Sequence, residues 1–352
     1  MASSPAGPAR PVYGPPPALP GAAVHSRADQ RGSGPVAPVI EPRAAEPRRV
    51  TAGGPVPTVV VAGSASRDVD VADPRGWRLG GGATYGALAL ARLGLRVGVV
   101  LGVDEAAAGA HELDLLRAAG AELHLARLPA GPVFHLQETA AGRSLRCDDP
   151  GEPLPVAALP PTWRAAPAWL LSPVADELPD GWAAIPPGAI VALDWQGILR
   201  DLARGAPVRP RPAAPRALLR RADLVSVSTE DLQPGADLRG LLRLLRTGAL
   251  CTLTRGGRGG LAFAVRPGAP RMRQFPAVPA TVVVDTTGAG DVFLAALLAA
   301  RTVPALAGRR PHLLAAVRFA ATVAAVHVGA PGLAGVPTLE AVHDALRRPA
   351  PA

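Results

Sequence analysis

The sequence predicts an α/β sandwich built on a mostly parallel central sheet. Short apolar runs, such as residues 58–63 and 249–253, have the length and composition of buried strands. A small-residue segment that ends before a glycine, such as 83–93 before Gly94, has the pattern of a helix with a glycine cap. Strands and helices of these kinds alternate along the chain, which is typical of a parallel sheet covered by helices.

The remaining elements follow the same two patterns. After the first helix, the predicted elements are strand 96–101, helix 106–119, strand 189–193, helix 214–222, strand 224–227, helix 238–246, strands 249–253, 260–265 and 281–284, and helices 289–300 and 311–328. Two short strands around a turn at 140–143 break the alternation. Together they predict a small β-lid at the edge of the sheet, with lid segments near 68–79 and 131–147.

The amino-terminal segment differs from the rest of the chain. Residues 1–55 hold 12 of the 41 prolines and show neither a helical nor a strand period. Such a segment buries too little apolar surface to offset its ordering entropy. We therefore expect a disordered tail over 1–55 and one folded domain over 56–345.

Composition excludes several classes of protein. The net charge is +9, but the basic residues are all arginine and are scattered, and aromatic residues make up only 3% of the chain, so no nucleic-acid partner is expected. No apolar run reaches the ~20 residues of a membrane span, and the proline-rich start is not a secretory signal. The distant cysteines and the histidines have no metal-ligand spacing. These features predict a cytoplasmic protein with no membrane partner.

The strongest chemical signal is the string Asp285-Thr-Thr-Gly-Ala-Gly-Asp291, in which a valine run meets glycines and then a helix. Glycines let backbone N–H groups approach a ligand, and a helix amino terminus favours an anion. The string is therefore suited to a phosphoryl group. Asp291 in the first turn has an alternative interpretation as a stabiliser of the helix dipole.

This string resembles the carboxy-terminal signature of the ribokinase-like (PfkB) carbohydrate kinase family. The resemblance extends over about residues 57–345 and implies a three-layer ribokinase-like sandwich. It implies that Asp291 is the general base and that the amides of Gly288, Ala289 and Gly290 form an anion hole. It also implies a monovalent-cation loop, with K⁺ as an additional cofactor, beside Asp285 and Thr287.

A second segment resembles the family's substrate-binding signature. In the segment from Gly80 to Gly94, Gly80 and Gly81 match the double glycine of the sugar pocket, and Tyr85 replaces the usual asparagine. Asp68 matches the acidic residue that binds substrate hydroxyls. Taken without the resemblance, the glycines also suit a helix-entry turn, and Asp68 a solvated loop.

Further matches concern the phosphoryl donor and the metal. The segment Thr254-Arg255-Gly256-Gly-Arg-Gly259 resembles the family's nucleotide loop, although an ordinary hairpin turn is the alternative. Asp231 falls where the family organises Mg²⁺ and phosphate, and its carboxylate is a hard oxygen ligand. Asp194 and Gln196 fall where the family often has Asp-x-Asn.

The resemblance implies a kinase that uses ATP and Mg²⁺ to phosphorylate a hydroxyl of a sugar, sugar acid or nucleoside. Its partners are then a small-molecule acceptor and a nucleotide, and a homodimer is left open. The alternative is a catalytically silent sugar- or nucleotide-binding regulatory protein on the same fold, since a fold does not fix a function. The intact glycines and the terminal aspartate favour the enzyme.

Overall fold

The computed structural model describes residues 56–139, 142–308 and 312–347. The predicted tail, 1–55, and the centre of the predicted lid turn lie outside the described residues. Within those ranges, no helix has both the length and the apolar character needed to cross a membrane.

Sixteen strands occur in the described ranges. In chain order they are β1 (Val59–Ser64), β2 (Ser66–Val69), β3 (Trp77–Gly80), β4 (Val97–Val103), β5 (Glu122–Arg127), β6 (Val133–Thr139), β7 (Gly142–Asp149), β8 (Ala168–Leu171), β9 (Ile190–Asp194), β10 (Arg200–Asp201), β11 (Ala206–Pro207), β12 (Arg209–Pro210), β13 (Leu224–Ser228), β14 (Leu250–Thr254), β15 (Gly260–Ala264) and β16 (Arg271–Phe275).

Eight α-helices occur in the same part of the chain. In chain order they are α1 (Gly82–Arg92), α2 (Glu105–Ala108), α3 (Leu113–Ala118), α4 (Ala217–Arg221), α5 (Leu238–Arg243), α6 (Ala289–Thr302), α7 (Leu313–His327) and α8 (Leu339–Arg347).

A nine-stranded sheet forms the centre of the domain. Its strand order is β16-β15-β14-β13-β9-β8-β1-β4-β5, and only the two pairings that involve β15 are antiparallel. The carboxyl ends of β1, β8, β9, β13 and β14 therefore meet at one edge, where ligands bind in open α/β sheets. The predicted α/β sandwich with a mostly parallel sheet is confirmed.

Each face of this sheet is covered by its own apolar layer. The first layer packs α1, α6 and α7 on the sheet, and the central residues of α6, 291–300, are all buried. Such complete burial suits the alanine-rich sequence of α6, because small side chains let neighbouring helices approach closely. The second layer contains the large side chains of Trp163, Trp169 and Trp182. The result is a three-layer sandwich with the sheet at its centre and α6 buried in one of the outer layers.

A five-stranded sheet in the order β11-β7-β6-β2-β3 lies beside the carboxyl edge of the large sheet. It contains the lid segments predicted near 68–79 and 131–147, together with the two-residue strand β11, which the sequence did not indicate. Asp68 lies opposite Arg78 in the pairing of β2 with β3, so the lid brings an acidic and a basic residue onto neighbouring strands.

Some predicted elements were wrong in extent or type. The helix predicted at 106–119 is two short helices, because Asp104 caps α2 through the Ala107 N–H and α2 stops at Gly109. The strand predicted at 281–284 is an irregular segment with three exposed valines, and the last strand of the sheet is β16 instead. Strands β5 and β8 were not predicted, because their short or mixed sequences carry no clear period. Helix α8 was not predicted either, although its amphipathic sequence carries a usable signal.

Candidate active site

A cavity of about 390 Å³ lies between the carboxyl edge of the large sheet and the lid. Lid residues form one wall, and the start of α6 together with the start of α1 forms the other. The polar and charged residues that line it are Ser66, Asp68, Asp70, Arg78, Tyr85, His135, Gln196, Arg200, Thr287 and Asp291. The cavity therefore combines carboxylates and guanidinium groups.

Asp291 is the carboxylate at the base of this cavity, and its side chain is only 7% exposed. Burial raises the pKa of Asp291 well above its usual range, and the charges of Asp194 and Asp231 raise it further, while Arg200 opposes them. A carboxylate with a raised pKa is a stronger proton acceptor than an ordinary one. The first-turn position predicted from the sequence thus carries a buried, basic carboxylate rather than a solvated helix cap.

The glycine turn before α6 lies where the sequence predicts an anion site. Gly288 is the helix N-cap with φ 79°, a left-handed conformation that favours glycine. The first N–H groups of a helix have no partner within the helix. The Ala289 N–H already donates to the Thr286 carbonyl at 3.2 Å, so Gly288 and Gly290 are the better placed of the three predicted amides.

Gln196 fixes the orientation of Asp291. Its amide nitrogen donates to Asp291 Oδ1 at 3.0 Å and to Asp194 Oδ2 at 2.9 Å. Its amide oxygen accepts from Arg200 at 2.6 Å, and Arg200 also donates to the Val174 carbonyl at 3.0 Å. The guanidinium lies over the ring of Phe134, 5.5 Å from its centroid. Hydrogen bonds therefore connect Arg200 through Gln196 to Asp291, and the contact with Phe134 connects Arg200 to the lid.

Three consecutive glycines leave room for two of the carboxylates of the cavity, those of Asp68 and Asp291. A Cβ at Gly82 would lie 2.5 Å from Asp291 Oδ1 and 2.6 Å from Ser172 Oγ. A Cβ at Gly80 would overlap the carboxylate of Asp68. Gly81 has φ 94°, which only glycine adopts without strain. The sequence analysis selected Gly80 and Gly81, but Gly82 is the glycine in contact with the base.

Asp68 lies on the lid side of the cavity. Its Oδ1 accepts from Ser66 Oγ at 2.7 Å. Burial raises the pKa of Asp68, while the Ser66 hydrogen bond and the charges of Arg78 and Arg200 lower it, with a net rise. The position is that of a carboxylate able to accept hydrogen bonds from an acceptor's hydroxyl groups.

Tyr85 is packed between α6 and α7 and is 1% exposed. Its ring contacts Gly288, where a Cβ would lie 2.5 Å from Tyr85 Cδ1, and meets the ring of His327 edge-on at 5.6 Å. The hydroxyl has no hydrogen-bond partner among the described residues, and the residue lines the cavity. Tyr85 thus supports the anion turn and leaves one polar atom to be satisfied by a ligand.

Asp285 and Thr287 are already engaged by protein groups. Asp285 Oδ1 accepts from the Thr287 N–H at 2.9 Å, and Oδ2 accepts from the Gly332 N–H at 3.0 Å. Arg78 NH1 lies 3.1 Å from the same Oδ2. The Thr287 carbonyl is 2.8 Å from His327 Nε2. A positive charge is therefore already present at Asp285, and these residues do not fit a monovalent cation at the place the resemblance implies.

The predicted donor loop lies at the end of β14. Gly256 and Gly259 have positive φ of 53° and 76°, and a Cβ at Gly259 would lie 2.6 Å from the Ala277 N–H nitrogen. Arg255 has a buried Nε with no hydrogen-bond partner among the described residues. The loop thus holds an unsatisfied guanidinium donor, which suits a phosphate.

A second cavity, of about 980 Å³, is lined by the chain that follows β16 and by α7 and α8. It is contiguous with the donor loop, because Gly259 packs against the segment that begins this wall. Its lining is mainly apolar and includes Val282, which is 53% exposed. The residues are Gln274, Phe275, Pro276, Ala277, Val278, Pro279, Ala280, Thr281, Val282, Leu314, Arg318, Thr322, Ala325, Val326, Gly329, Ala341, Asp344, Ala345 and Leu346.

Asp231 follows β13 at the same edge of the sheet. Its Oδ2 accepts from the Ser228 N–H at 2.9 Å. Its pKa is raised to about 6, first by burial and then by the charge of Asp194, against the lowering effect of Arg200. In the described ranges no three His, Cys, Asp or Glu side chains form a metal-binding group. A Mg²⁺ held by one or two carboxylates and the donor phosphates needs no such group, so Asp231 stays a predicted ligand of that ion.

Several residues of the site were not among those selected from the sequence. Arg78, Arg200 and Ser172 belong to short lid or loop segments with no motif of their own, and Gly82 is the third glycine of a signature in which only Gly80 and Gly81 were selected. Gln196 carried a usable signal, because it lies two residues after Asp194 at the end of a strand. Only the fold brings these groups to Asp291.

Comparison with protein-family models places a pfkB family carbohydrate kinase match at residues 210–339. This part includes β13, the donor loop and the glycine turn before α6, so the resemblance drawn from the sequence is confirmed. A search of curated proteins found no match.

Solved structures of the ribokinase family share the fold of the chain. A pyrophosphate-dependent kinase complexed with a pyrophosphate analog and myo-inositol has a TM-score of 0.62 at 21% identity, covering 82% of this chain and 99% of that one. Arabidopsis thaliana ribokinase complexed with ribose and ATP has a TM-score of 0.58 at 21% identity, covering 84% and 100%. The Methanocaldococcus jannaschii nucleoside kinase has a TM-score of 0.57 at 14% identity, covering 84% and 99%. The predicted ribokinase-like sandwich is thereby confirmed.

Proposed function

Because residues 210–339 match the pfkB family carbohydrate kinases on a ribokinase-like fold, we propose that the chain transfers a phosphoryl group to a hydroxyl of a small polyhydroxylated molecule. The observation that carries the proposal is the position of Asp291. A buried carboxylate of raised pKa lies in the first turn of a helix whose preceding glycines form an anion site. Base and anion site are thus built by one turn of chain.

In the proposed reaction, the acceptor hydroxyl gives its proton to Asp291 as its oxygen bonds to the incoming phosphorus. The bond from phosphorus to the leaving oxygen of the donor breaks in the same step. The N–H groups of Gly288 and Gly290 stabilise the charge on the transferring group. Gln196 holds the accepting carboxylate in place. When bound at Asp231, Mg²⁺ would neutralise charge on the donor phosphates.

The lid has a clear role in this reaction. Water competes with the acceptor hydroxyl for the phosphoryl group, so the site must be closed during transfer. Arg200 links the lid to Gln196, because it lies over Phe134 of β6 and donates to the Gln196 amide oxygen. Closure of the lid and alignment of Asp291 are therefore coupled through these contacts.

We propose ATP as the donor. One solved relative is pyrophosphate-dependent and another is complexed with ATP, so both donors are represented on this fold. Pyrophosphate requires only a phosphate site. The apolar cavity of about 980 Å³ beside the donor loop has room for a nucleoside, and covering its exposed Val282 would bury apolar surface.

Arg255→Met is expected to raise the KM for ATP by about tenfold or more, because a charge-assisted hydrogen bond contributes about 1.5–3 kcal/mol. The kcat should change little. Steady-state kinetics with varied ATP test this, with Arg258→Met in the same exposed turn as the matched control. An unchanged KM for ATP would remove Arg255 from the donor site. Pyrophosphate that supported faster transfer than ATP would contradict the choice of donor.

Tyr85→Phe is expected to raise the KM for the acceptor severalfold. The substitution removes a buried hydroxyl that has no partner among the described residues and that we propose binds the acceptor. The ring contacts with Gly288 and His327 remain, so the melting temperature should stay within a few degrees. Tyr85→Asn should also change the ranking of acceptors. An unaltered acceptor KM in Tyr85→Phe together with an unaltered ranking in Tyr85→Asn would show that Tyr85 only supports the turn.

The function is tested by incubating the protein with Mg·ATP and a panel of sugars, sugar acids, cyclitols and nucleosides, with phosphorus NMR of the products. Phosphorylation of one acceptor class well above the hydrolysis of ATP is the expected result. Binding of an acceptor without any transfer would favour the silent binding protein on the same fold.

A further inference from the structure

The loop before α6 contains a carboxylate whose surroundings differ from those that the family resemblance implies. Asp285 is 11% exposed and Arg78 27% exposed, and Arg78 NH1 lies 3.1 Å from Asp285 Oδ2. Two backbone N–H groups, of Thr287 and Gly332, donate to the same carboxylate at 2.9 and 3.0 Å. Asp285 is therefore satisfied by three protein donors, one of them a full positive charge.

The ionisation of the pair follows from these contacts. Burial raises the pKa of Asp285, but the Thr287 and Gly332 hydrogen bonds and the charge of Arg78 lower it, and the net direction is downward. A guanidinium is always protonated in proteins. The two groups therefore form a permanent ion pair, 3.1 Å apart, next to the turn that binds the transferring phosphoryl group.

The carbonyl oxygen of Thr287, next to Asp285 in the same loop, also has a protein partner. The ring of His327 is fully buried, and its Nε2 lies 2.8 Å from the Thr287 carbonyl oxygen. A carbonyl oxygen only accepts hydrogen bonds, so His327 donates its Nε2–H to this oxygen. A cation at this place would have to compete with His327 and would lie beside the charge of Arg78.

Arg78 comes from the lid and not from the loop it neutralises. It belongs to β3, two residues before Gly80, and its Nε is 3.9 Å from Asp70 Oδ2. It also lines the acceptor cavity. Its guanidinium therefore connects the acceptor side of the site to the anion turn.

On the basis of the proposed function, we infer that Arg78 is a built-in cation that replaces a monovalent metal ion at Asp285. It is a positioning residue: it cancels the charge of Asp285 and holds the 285–288 turn in the conformation that binds the phosphoryl group. Phosphotransfer by this chain is then independent of K⁺. Removal of the guanidinium opens the site to a monovalent cation.

The first test compares initial rates in KCl, NaCl and tetramethylammonium chloride at equal ionic strength with saturating substrates. The parent protein is expected to give rates within twofold of one another. Arg78→Met is expected to lose at least tenfold in kcat in tetramethylammonium chloride and to recover severalfold in KCl. Arg78→Lys should keep most of the parent rate in all three salts.

Arg67→Met is the matched control. Arg67 lies on the neighbouring lid strand, pairs with Asp104 at 2.8 Å and is 28% exposed, nearly the same as Arg78. It is not among the residues that line the acceptor cavity. This variant should show neither the loss of kcat nor a response to K⁺.

A binding measurement separates this inference from the proposed function, because it requires no turnover. Thallium-205 NMR with Tl⁺ as a K⁺ mimic should show no saturable binding to the parent protein and saturable binding to Arg78→Met. Melting temperatures in the three salts should agree for the parent and diverge for the variant. Failure to phosphorylate any acceptor would contradict the proposed function. The Tl⁺ binding and the melting temperatures would still test whether Arg78 replaces a monovalent cation.

Three results would overturn the inference. The first is tenfold or greater activation of the parent by K⁺, or saturable binding of Tl⁺ to it. The second is an Arg78→Met variant with a raised acceptor KM, normal kcat and no response to cations, which would make Arg78 an acceptor-binding residue. The third is equal loss of kcat in the Met and Lys variants with unchanged melting temperatures, since a charge role requires rescue by lysine.

Discussion

Asp291→Asn is expected to lower kcat by about 10²–10⁴-fold, the usual contribution of a general base. The asparagine has nearly the same shape and can still contact Gln196, but it accepts no proton. ATP affinity should be retained, because the donor loop at 254–259 is a separate segment at the end of β14. Single-turnover phosphotransfer, measured with ATP affinity, tests this expectation.

The pH dependence of the reaction provides the control for this variant. Asp291 must be ionised to accept a proton, and its pKa is raised by burial and by Asp194 and Asp231, against Arg200. The parent rate should therefore increase with pH over a range above that of an ordinary aspartate and then level off. The residual rate of Asp291→Asn should not increase with pH over this range. A variant with near-normal turnover, or with the same increase of rate with pH as the parent, would show that another group is the base.

The direction of the change in stability caused by Asp291→Asn follows from the raised pKa. The folded-state pKa of Asp291 is raised above its unfolded value, so ionisation of this group opposes folding at pH values above the unfolded pKa. Asparagine removes that unfavourable contribution at neutral pH. The melting temperature of Asp291→Asn should therefore equal or exceed that of the parent at pH 7, so a loss of kcat does not arise from unfolding.

Gly82→Ala is expected to reduce kcat by about 10²-fold, the effect of displacing a catalytic group by about 1 Å. The added methyl group would lie 2.5 Å from Asp291 Oδ1, closer than carbon and oxygen pack, so the base must move. The change should appear in kcat more than in the KM for ATP. Steady-state kinetics and melting curves measure it.

Two further variants make the Gly82 result interpretable. Gly109→Ala is the matched control, because its added Cβ meets only the Ala106 carbonyl oxygen at an ordinary 3.7 Å. Ser172→Ala in the Gly82→Ala background relieves the second close contact but not the contact with Asp291. Recovery of turnover in the double variant would assign the effect to Ser172 and contradict the proposed crowding of the base.

The sequence alone determined the type of fold and the centre of the chemistry. Alternating valine-rich and alanine-rich segments are local patterns, and they specified the parallel sheet and most of its helices, including α1 and α6. The glycine turn followed by Asp291 is likewise local, because seven consecutive residues hold both the proposed anion site and the proposed base. Periodicity was insufficient for β5, β8 and β16, which are short, mixed in composition or exposed.

Only the tertiary structure decided the environment of these residues. The raised pKa of Asp291 depends on Asp194 and Asp231, which lie at the ends of separate strands, and its orientation depends on Gln196, 95 positions away. The pairing of Arg78 with Asp285 joins residues of the lid and the last third of the chain. Side chains distant in sequence meet only after the sheet and lid have formed, and burial among them, rather than residue type, sets their charge and reactivity.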